Sequence, residues 1–200
     1  MSGMEKSKFR VIIVGGSIAG LTLAHCLDRA EIDHIVLERR DDISPQVGAS
    51  IGIMPNGGRV LEQLGIFDEV EKEIEPLRQA HICYPDGFFF SSSYPVVLHE
   101  RFGFPLAFLD RQKLLKILYT SLKDKSKVHV NKKVVEVQQL KSSLRVSTSD
   151  GSFYDCDLVV GADGVHSKVR SEMWRIADTQ QPGLITMREK NSQLAPNHKF

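Results

Sequence analysis

The chain has 200 residues, 42% of them hydrophobic and 26% charged, a composition that builds a packed globular core and excludes a chain disordered throughout. Lysine plus arginine (26) nearly balances aspartate plus glutamate (25), so no broad electrostatic case exists for nucleic acid or an anionic membrane. The three cysteines, Cys26, Cys83 and Cys156, lack disulfide or metal-ligand spacing and read as small buried hydrophobes of a reducing compartment.

Phe9 to Val14 predicts a buried parallel strand, too short for a signal segment, and Ile18, Leu21, Ala24 and Leu27 recur with helical period through Arg29. His34 to Leu37 predicts a second strand that ends at Glu38. Together they form a βαβ unit of roughly 30 residues, the opening of a doubly wound sheet. Arg39 to Pro55 loses periodicity and carries Pro45, Gly48, Gly52 and Pro55, which predicts a long functional loop. Asn56 is placed to cap a helix over Gly57 to Leu64.

Leu77 to Ser93 alternates around Pro85-Asp86-Gly87 and predicts a hairpin, with Phe88-Phe89-Phe90 as core or cleft wall. Asp110 is the expected N-cap of a helix over Arg111 to Leu122, and Val128 to Val130 predicts a short strand. Val134 to Leu140, Leu144 to Thr148 and Ser152 to Tyr154, broken by Lys141-Ser142-Ser143 and Asp150-Gly151, predict an antiparallel meander. It feeds into a strand over Asp157 to Val160 and the turn Gly161-Ala162-Asp163-Gly164. Residues 191–200, NSQLAPNHKF, are polar and aperiodic and are expected to be a disordered or divergent tail. No stretch reaches the ~18 apolar residues of a membrane span, so the expectation is a cytoplasmic chain without a membrane segment.

The strand-to-helix turn carries Gly15, Ser17 and Gly20 where a dinucleotide-binding turn has three glycines. The first permits the bend, the second lets backbone approach phosphate oxygens, and the third lets helix and strand pack closely. Serine at the second place is small and its hydroxyl can donate to phosphate. Glu38, about 20 residues on at the end of the next strand, is placed to accept ribose hydroxyls. A carboxylate there favours a free 2′-hydroxyl, hence FAD or NAD over NADP. Arg39 beside it either faces a second nucleotide or is a solvated strand end. The histidines show no paired ligand spacing, and neither a metal site nor a Ser-His-Asp set is expected.

The blocks VIIVGGSIAGLTLAHCL, LERRDDISPQVGASIGIMPNG, LDRQKLLKIL and CDLVVGADGVHSKVR occur in this order over residues 9 to about 190. They resemble the flavin-dependent aromatic hydroxylase superfamily, and within it the fungal PaxM-like FAD monooxygenases. The resemblance implies an α/β fold: a Rossmann-like, GR2-type FAD-binding sheet over residues 1–190, an inserted meander, and the first strands of a substrate-domain sheet around 77–108. It implies that Glu38 holds the adenosine ribose, that Gly52 lies near the isoalloxazine, and that Arg111 contacts FAD. It further associates Asp163 and Gly164 with handling of FAD and NAD(P)H.

The activity implied is oxygen insertion into a prenylated intermediate of fungal secondary metabolism, with FAD as cofactor and NAD(P)H as reductant. The product is an alcohol or an epoxide. Relatives of this type are about twice as long, so the C-terminal half, with the rest of the flavin and substrate sites, is expected to be absent from this chain, and no catalytic residue is assigned within it. Two other readings stand beside this one: a noncatalytic remnant with at most weak nucleotide binding, and an aromatic-ring hydroxylase of the same superfamily.

Overall fold

The computed structural model describes residues 9–46, 50–186 and 190. In chain order the elements begin with β1 (Arg10–Val14), α1 (Ile18–Arg29), β2 (Asp33–Leu37), β3 (Ser50–Ile53), α2 (Pro55–Gln63) and α3 (Phe67–Glu71). There follow β4 (Glu75–Pro76), β5 (Ala80–Cys83), β6 (Phe89–Ser92), α4 (Tyr94–Phe102), β7 (Ala107–Asp110) and α5 (Arg111–Thr120). The series closes with β8 (Val128–His129), β9 (Val134–Gln139), β10 (Leu144–Thr148), β11 (Phe153–Cys156), β12 (Leu158–Gly161) and α6 (Lys168–Gln180). The chain divides into two compact units, Met1–Asp41 with Ser126–Phe200, and Asp42–Lys125.

In the first unit, β1 is flanked on both sides, and the four-stranded sheet runs β12-β1-β2-β8 with every pairing parallel. A parallel strand with both faces covered needs a continuous apolar run, which is why Val11, Ile12, Ile13 and Val14 are all buried. The antiparallel meander β11-β10-β9 stands beside this sheet as predicted. The two share one core of Ile12, Val14, Leu37, Val134, Val137, Val146 and Cys156, against which α6 packs Val169 and Ile176.

The second unit is held by an antiparallel sheet β3-β7-β4, a separate hairpin β5-β6, and helices α2 to α5. Its centre includes Phe67 and Phe104, whose rings meet edge to face with centroids 5.1 Å apart. The β5-β6 hairpin turns at Asp86-Gly87, where the Asp86 carboxylate accepts from the Phe88 N–H at 3.0 Å and Gly87 has φ +88°.

Several expectations need correction. The segment from Arg39 to Pro55 is not loop throughout: it contains β3, which pairs with β7 from Ser50↔Asp110 to Ile53↔Ala107. Asn56 is inside α2, because Pro55 takes the first helical position and Met54 is the N-cap. Phe88, Phe89 and Phe90 are not core; they are 59%, 67% and 39% exposed. Of the cysteines only Cys156 is buried, and burial, then the neighbouring Asp157 and Asp155 carboxylates, push its thiol up to about 11. Gly48 and the expected tail over 191–200 lie outside the described residues.

Candidate functional site

The site is built where the parallel strands of the first unit end. Beyond Val14 the chain turns sharply at Gly15, whose φ of +108° is strained for any residue with a side chain. The turn is fastened on two sides. The Gly15 N–H donates to the Leu37 carbonyl of β2 at 2.9 Å, and the Ala162 N–H, just past β12, donates to the Val14 carbonyl at 2.7 Å. A Cβ on Gly15 would lie 2.4 Å from the Ala162 oxygen, and one on Gly20 only 1.9 Å from the Gly15 oxygen. Gly15 thus keeps the strand ends together, and Gly20 lets α1 sit directly on the turn. Ser17 is the extended N-cap of α1, so the first-turn N–H groups of that helix open toward this crevice.

Glu38 follows β2 and is 9% exposed. Its Oε2 accepts from the Gly16 N–H at 2.7 Å and its Oε1 from the Arg40 N–H at 2.9 Å. Its backbone is fixed as well: the Glu38 N–H donates to the His129 carbonyl at 2.9 Å, and Lys132 N–H donates to the Glu38 carbonyl at 2.7 Å. The carboxylate therefore ties the glycine turn to the end of β2. Arg39, next in sequence, is exposed.

The Gly161–Gly164 turn closes the crevice on the β12 side. Asp163 Oδ2 accepts from the N–H groups of Lys168 at 2.6 Å and Val169 at 3.2 Å, while Ser167 Oγ accepts from Arg170 N–H at 3.0 Å. Two side chains thus serve the orphan donors at the start of α6. The second carboxylate oxygen, Asp163 Oδ1, is buried and has no hydrogen-bond partner among the described residues. Gly164 adopts φ +81°, which completes the turn.

Sequence reasoning missed the residue that holds α6 in place. Glu172, 5% exposed on a helix otherwise turned largely to solvent, accepts through Oε2 from the Val137 N–H of β9 at 3.3 Å. Arg175 donates to the same oxygen at 2.7 Å through Nη2 and also to the Val137 carbonyl at 2.8 Å, and Lys168 Nζ stands 2.8 Å from Glu172 Oε1. Burial alone would raise the Glu172 carboxyl, but hydrogen bonds from Arg175, Lys168 and Val137 outweigh it and hold it at about 2. A single acid on a polar helix carries no sequence signal for such a clasp, because its main partner is backbone on another element.

Gly15, Ser17, Gly20, Glu38, Asp163 and Gly164 are thus brought together in the first unit. Gly52 and Arg111 belong to the second. Gly52 lies in β3 opposite Phe108, and a Cβ there would come within 3.1 Å of the Phe108 ring, so the bare backbone faces an aromatic plane of its own chain. Arg111 is the half-buried first residue of α5, whose N-cap Asp110 accepts from the Gln112 N–H at 2.9 Å. Among the described residues no helix is long and apolar enough to cross a membrane.

Comparison with known proteins bears on the family and the fold. Residues 8–184 match the family model described as FAD binding domain. The chain is 60% identical over 188 residues to the FAD-dependent monooxygenase atmM of Aspergillus flavus, covering 94% of this chain and 39% of that protein. It is 61% identical over 189 residues to the FAD-dependent monooxygenase penE of Penicillium thymicola, covering 94% and 40%. Among solved structures, Klebsiella pneumoniae HpxO complexed with FAD and uric acid superposes with a TM-score of 0.70 at 28% identity, over 81% of this chain and 41% of that one. The chain spans about two fifths of the length of the relatives it matches.

Proposed function

The chain belongs to the FAD binding domain family, and from that membership we propose that it carries the nucleotide-holding part of an FAD-dependent monooxygenase. The observation that carries the reading is the closure of the glycine turn by Glu38, with Gly16 N–H donating to Oε2 at 2.7 Å. FAD fits the residues present. Gly15 and Gly20 let the strand ends and α1 close into one tight turn, the start of α1 favours an anion, and a nearly buried acid stands at the end of the next strand.

In this reading Ser17 and the first turn of α1 hold the pyrophosphate, and Ser17 is a tolerated substitute for the second glycine. Glu38 spends one acceptor site per oxygen on Gly16 and Arg40, and each oxygen keeps a second lone pair for the adenosine ribose hydroxyls. Asp163 and Gly164 shape the far wall, and the unpartnered Asp163 Oδ1 is an acceptor available to a cofactor hydroxyl or bridging water. Gly52 and Arg111 are assigned to the flavin end. When bound, FAD supplies the redox chemistry that activates oxygen, with NAD(P)H as the reductant. The substrate class we assign is a prenylated intermediate of fungal secondary metabolism, hydroxylated or epoxidised in the cytoplasm. The names and sources of the similar monooxygenases support the oxygenase part of this assignment.

The test is the visible spectrum of the purified chain, followed by FAD titration against thermal unfolding. Bound flavin, or a rise in Tm on adding FAD, is expected. Absence of both sinks the flavin reading; flavin binding without prenyl-substrate-stimulated NADPH consumption leaves a nucleotide-binding module in its place.

A further inference from the structure

Two helices of the second unit face each other across a cleft of about 420 Å³ lined by Met54, Pro55, Asn56, Arg59, Leu98 and Phe102. Its construction follows from helical spacing. Asn56 and Arg59 are three apart on α2, Leu98 and Phe102 four apart on α4, so each helix presents one stripe. Met54 and Pro55 line it where β3 passes into α2, with Met54 two residues beyond Gly52. Met54, Pro55, Leu98 and Phe102 make the lining mainly apolar, yet it holds a cation. Arg59 has no acidic partner among the described residues, and α2 has no acid in its first turn. A second guanidinium, Arg101, lies 5.5 Å above the Phe102 ring.

The geometry points to a binding site for an amphipathic small molecule, with its apolar body against Met54, Leu98 and Phe102 and one anionic or carbonyl oxygen on Arg59 and Asn56. The size lies in the range of ordinary small-molecule pockets. Apolar walls supply affinity through burial, and a single unpartnered guanidinium with an amide beside it sets orientation. Cationic and purely polar ligands are disfavoured, the first by charge and the second by the apolar walls. That the occupant is the substrate of the oxygenase rests on the function proposed above; the binding itself does not.

The test uses the full chain and two probes of equal length, dodecanoate and dodecanol, titrated calorimetrically below micelle formation. Dodecanoate is expected to bind about fivefold tighter, the upper range for one exposed ion pair. Arg59→Gln should bring the two within about twofold while leaving dodecanol unchanged. Leu98→Trp, which fills the cleft, should weaken both probes by about tenfold or more, a cost typical of overpacking. Should Leu98→Trp fail to fold by circular dichroism, Met54→Trp, at a side chain already 46% exposed, gives the same occlusion. A preference that survives Arg59→Gln, or undiminished binding in the occluded variant, overturns the site. Parallel FAD titration separates the two ideas: amphiphile binding without FAD uptake refutes only the flavin reading, and FAD uptake without amphiphile binding refutes only the cleft.

Discussion

Glu38 accepts the backbone N–H of Gly16 at 2.7 Å, so the acid that ends β2 also holds the turn that ends β1. The same carboxylate is thus at once a structural fastener and the proposed ribose acceptor. These roles separate by substitution.

Glu38→Ala leaves the nearly buried Gly16 N–H without its acceptor, a loss of about 1–3 kcal/mol. Tm should fall, and FAD affinity should drop about tenfold or more in a flavin-fluorescence titration. Glu38→Gln keeps one carbonyl for Gly16 and is expected to recover most of the Tm but not the affinity. Unchanged FAD affinity in Glu38→Ala would show that the ribose assignment is wrong.

Gly20→Ala places a methyl group 1.9 Å from the Gly15 carbonyl oxygen, and the obstacle is backbone, not a side chain that can swing away. The helix must slide off the turn. A destabilisation of about 3 kcal/mol is expected from chemical denaturation, together with loss of FAD binding. A variant as stable as the parent would mean that α1 does not pack on the turn as described.

Asp163 offers a cleaner separation, because one oxygen serves α6 and the other has no partner among the described residues. Asp163→Asn retains an acceptor for the Lys168 and Val169 N–H groups and should fold with stability within about 1 kcal/mol of the parent. Asp163→Ala should cost about 2 kcal/mol. If Oδ1 serves the cofactor, Asp163→Asn loses FAD affinity while keeping its Tm. Equal affinity in parent and Asp163→Asn would restrict this residue to capping.

The Glu172 clasp makes stability depend on acid pH. Its folded carboxyl is held at about 2, below the ordinary 4.5, so its contribution is complete above the unfolded value and is lost as pH falls toward 2. A shift of that size corresponds to about 3 kcal/mol. Asp150 and Asp155 are also held low, the first chiefly by Lys132 and the second by Arg145, so they steepen the decline in the same direction. Urea denaturation of Glu172→Gln between pH 5 and 2 should show a shallower fall than the parent. Parallel curves would mean that the clasp does not form in solution.

Much of the first unit was legible because its signals are local. Val11–Val14 is apolar without a break, α1 begins and ends where its periodicity does, and Asp150-Gly151 punctuates the meander. The second unit was harder. Strand β3 has four residues and a glycine at its centre, too short to show alternation, and β7 is likewise only four residues. Helix α4 carries Pro95 near its start, which reads as a break in sequence but suits a first turn. Phe88–Phe90 misled because hydrophobicity says nothing about which face a hairpin covers. At the candidate site, the positions of Gly15, Gly20 and Glu38 follow from spacing, whereas the Gly16–Glu38 bond and the Glu172–Val137 clasp depend on contacts distant in sequence.

The first unit is discontinuous: β1 and β2 come from one end of the chain and β12 from the other, with Arg10 N–H donating to Asp157 Oδ2 across 147 positions. On a ribosome adding about 5–20 residues per second, β1 would wait on the order of ten seconds for its second neighbour. During that interval the most apolar strand of the chain has an open edge, while the second unit, contiguous in sequence, can already close. Newborn chains stalled before residue 158 should therefore depend on a holding chaperone, and those stalled well past it should not. Synthesis rate through the second unit then becomes a control on yield that no property of the finished protein reveals.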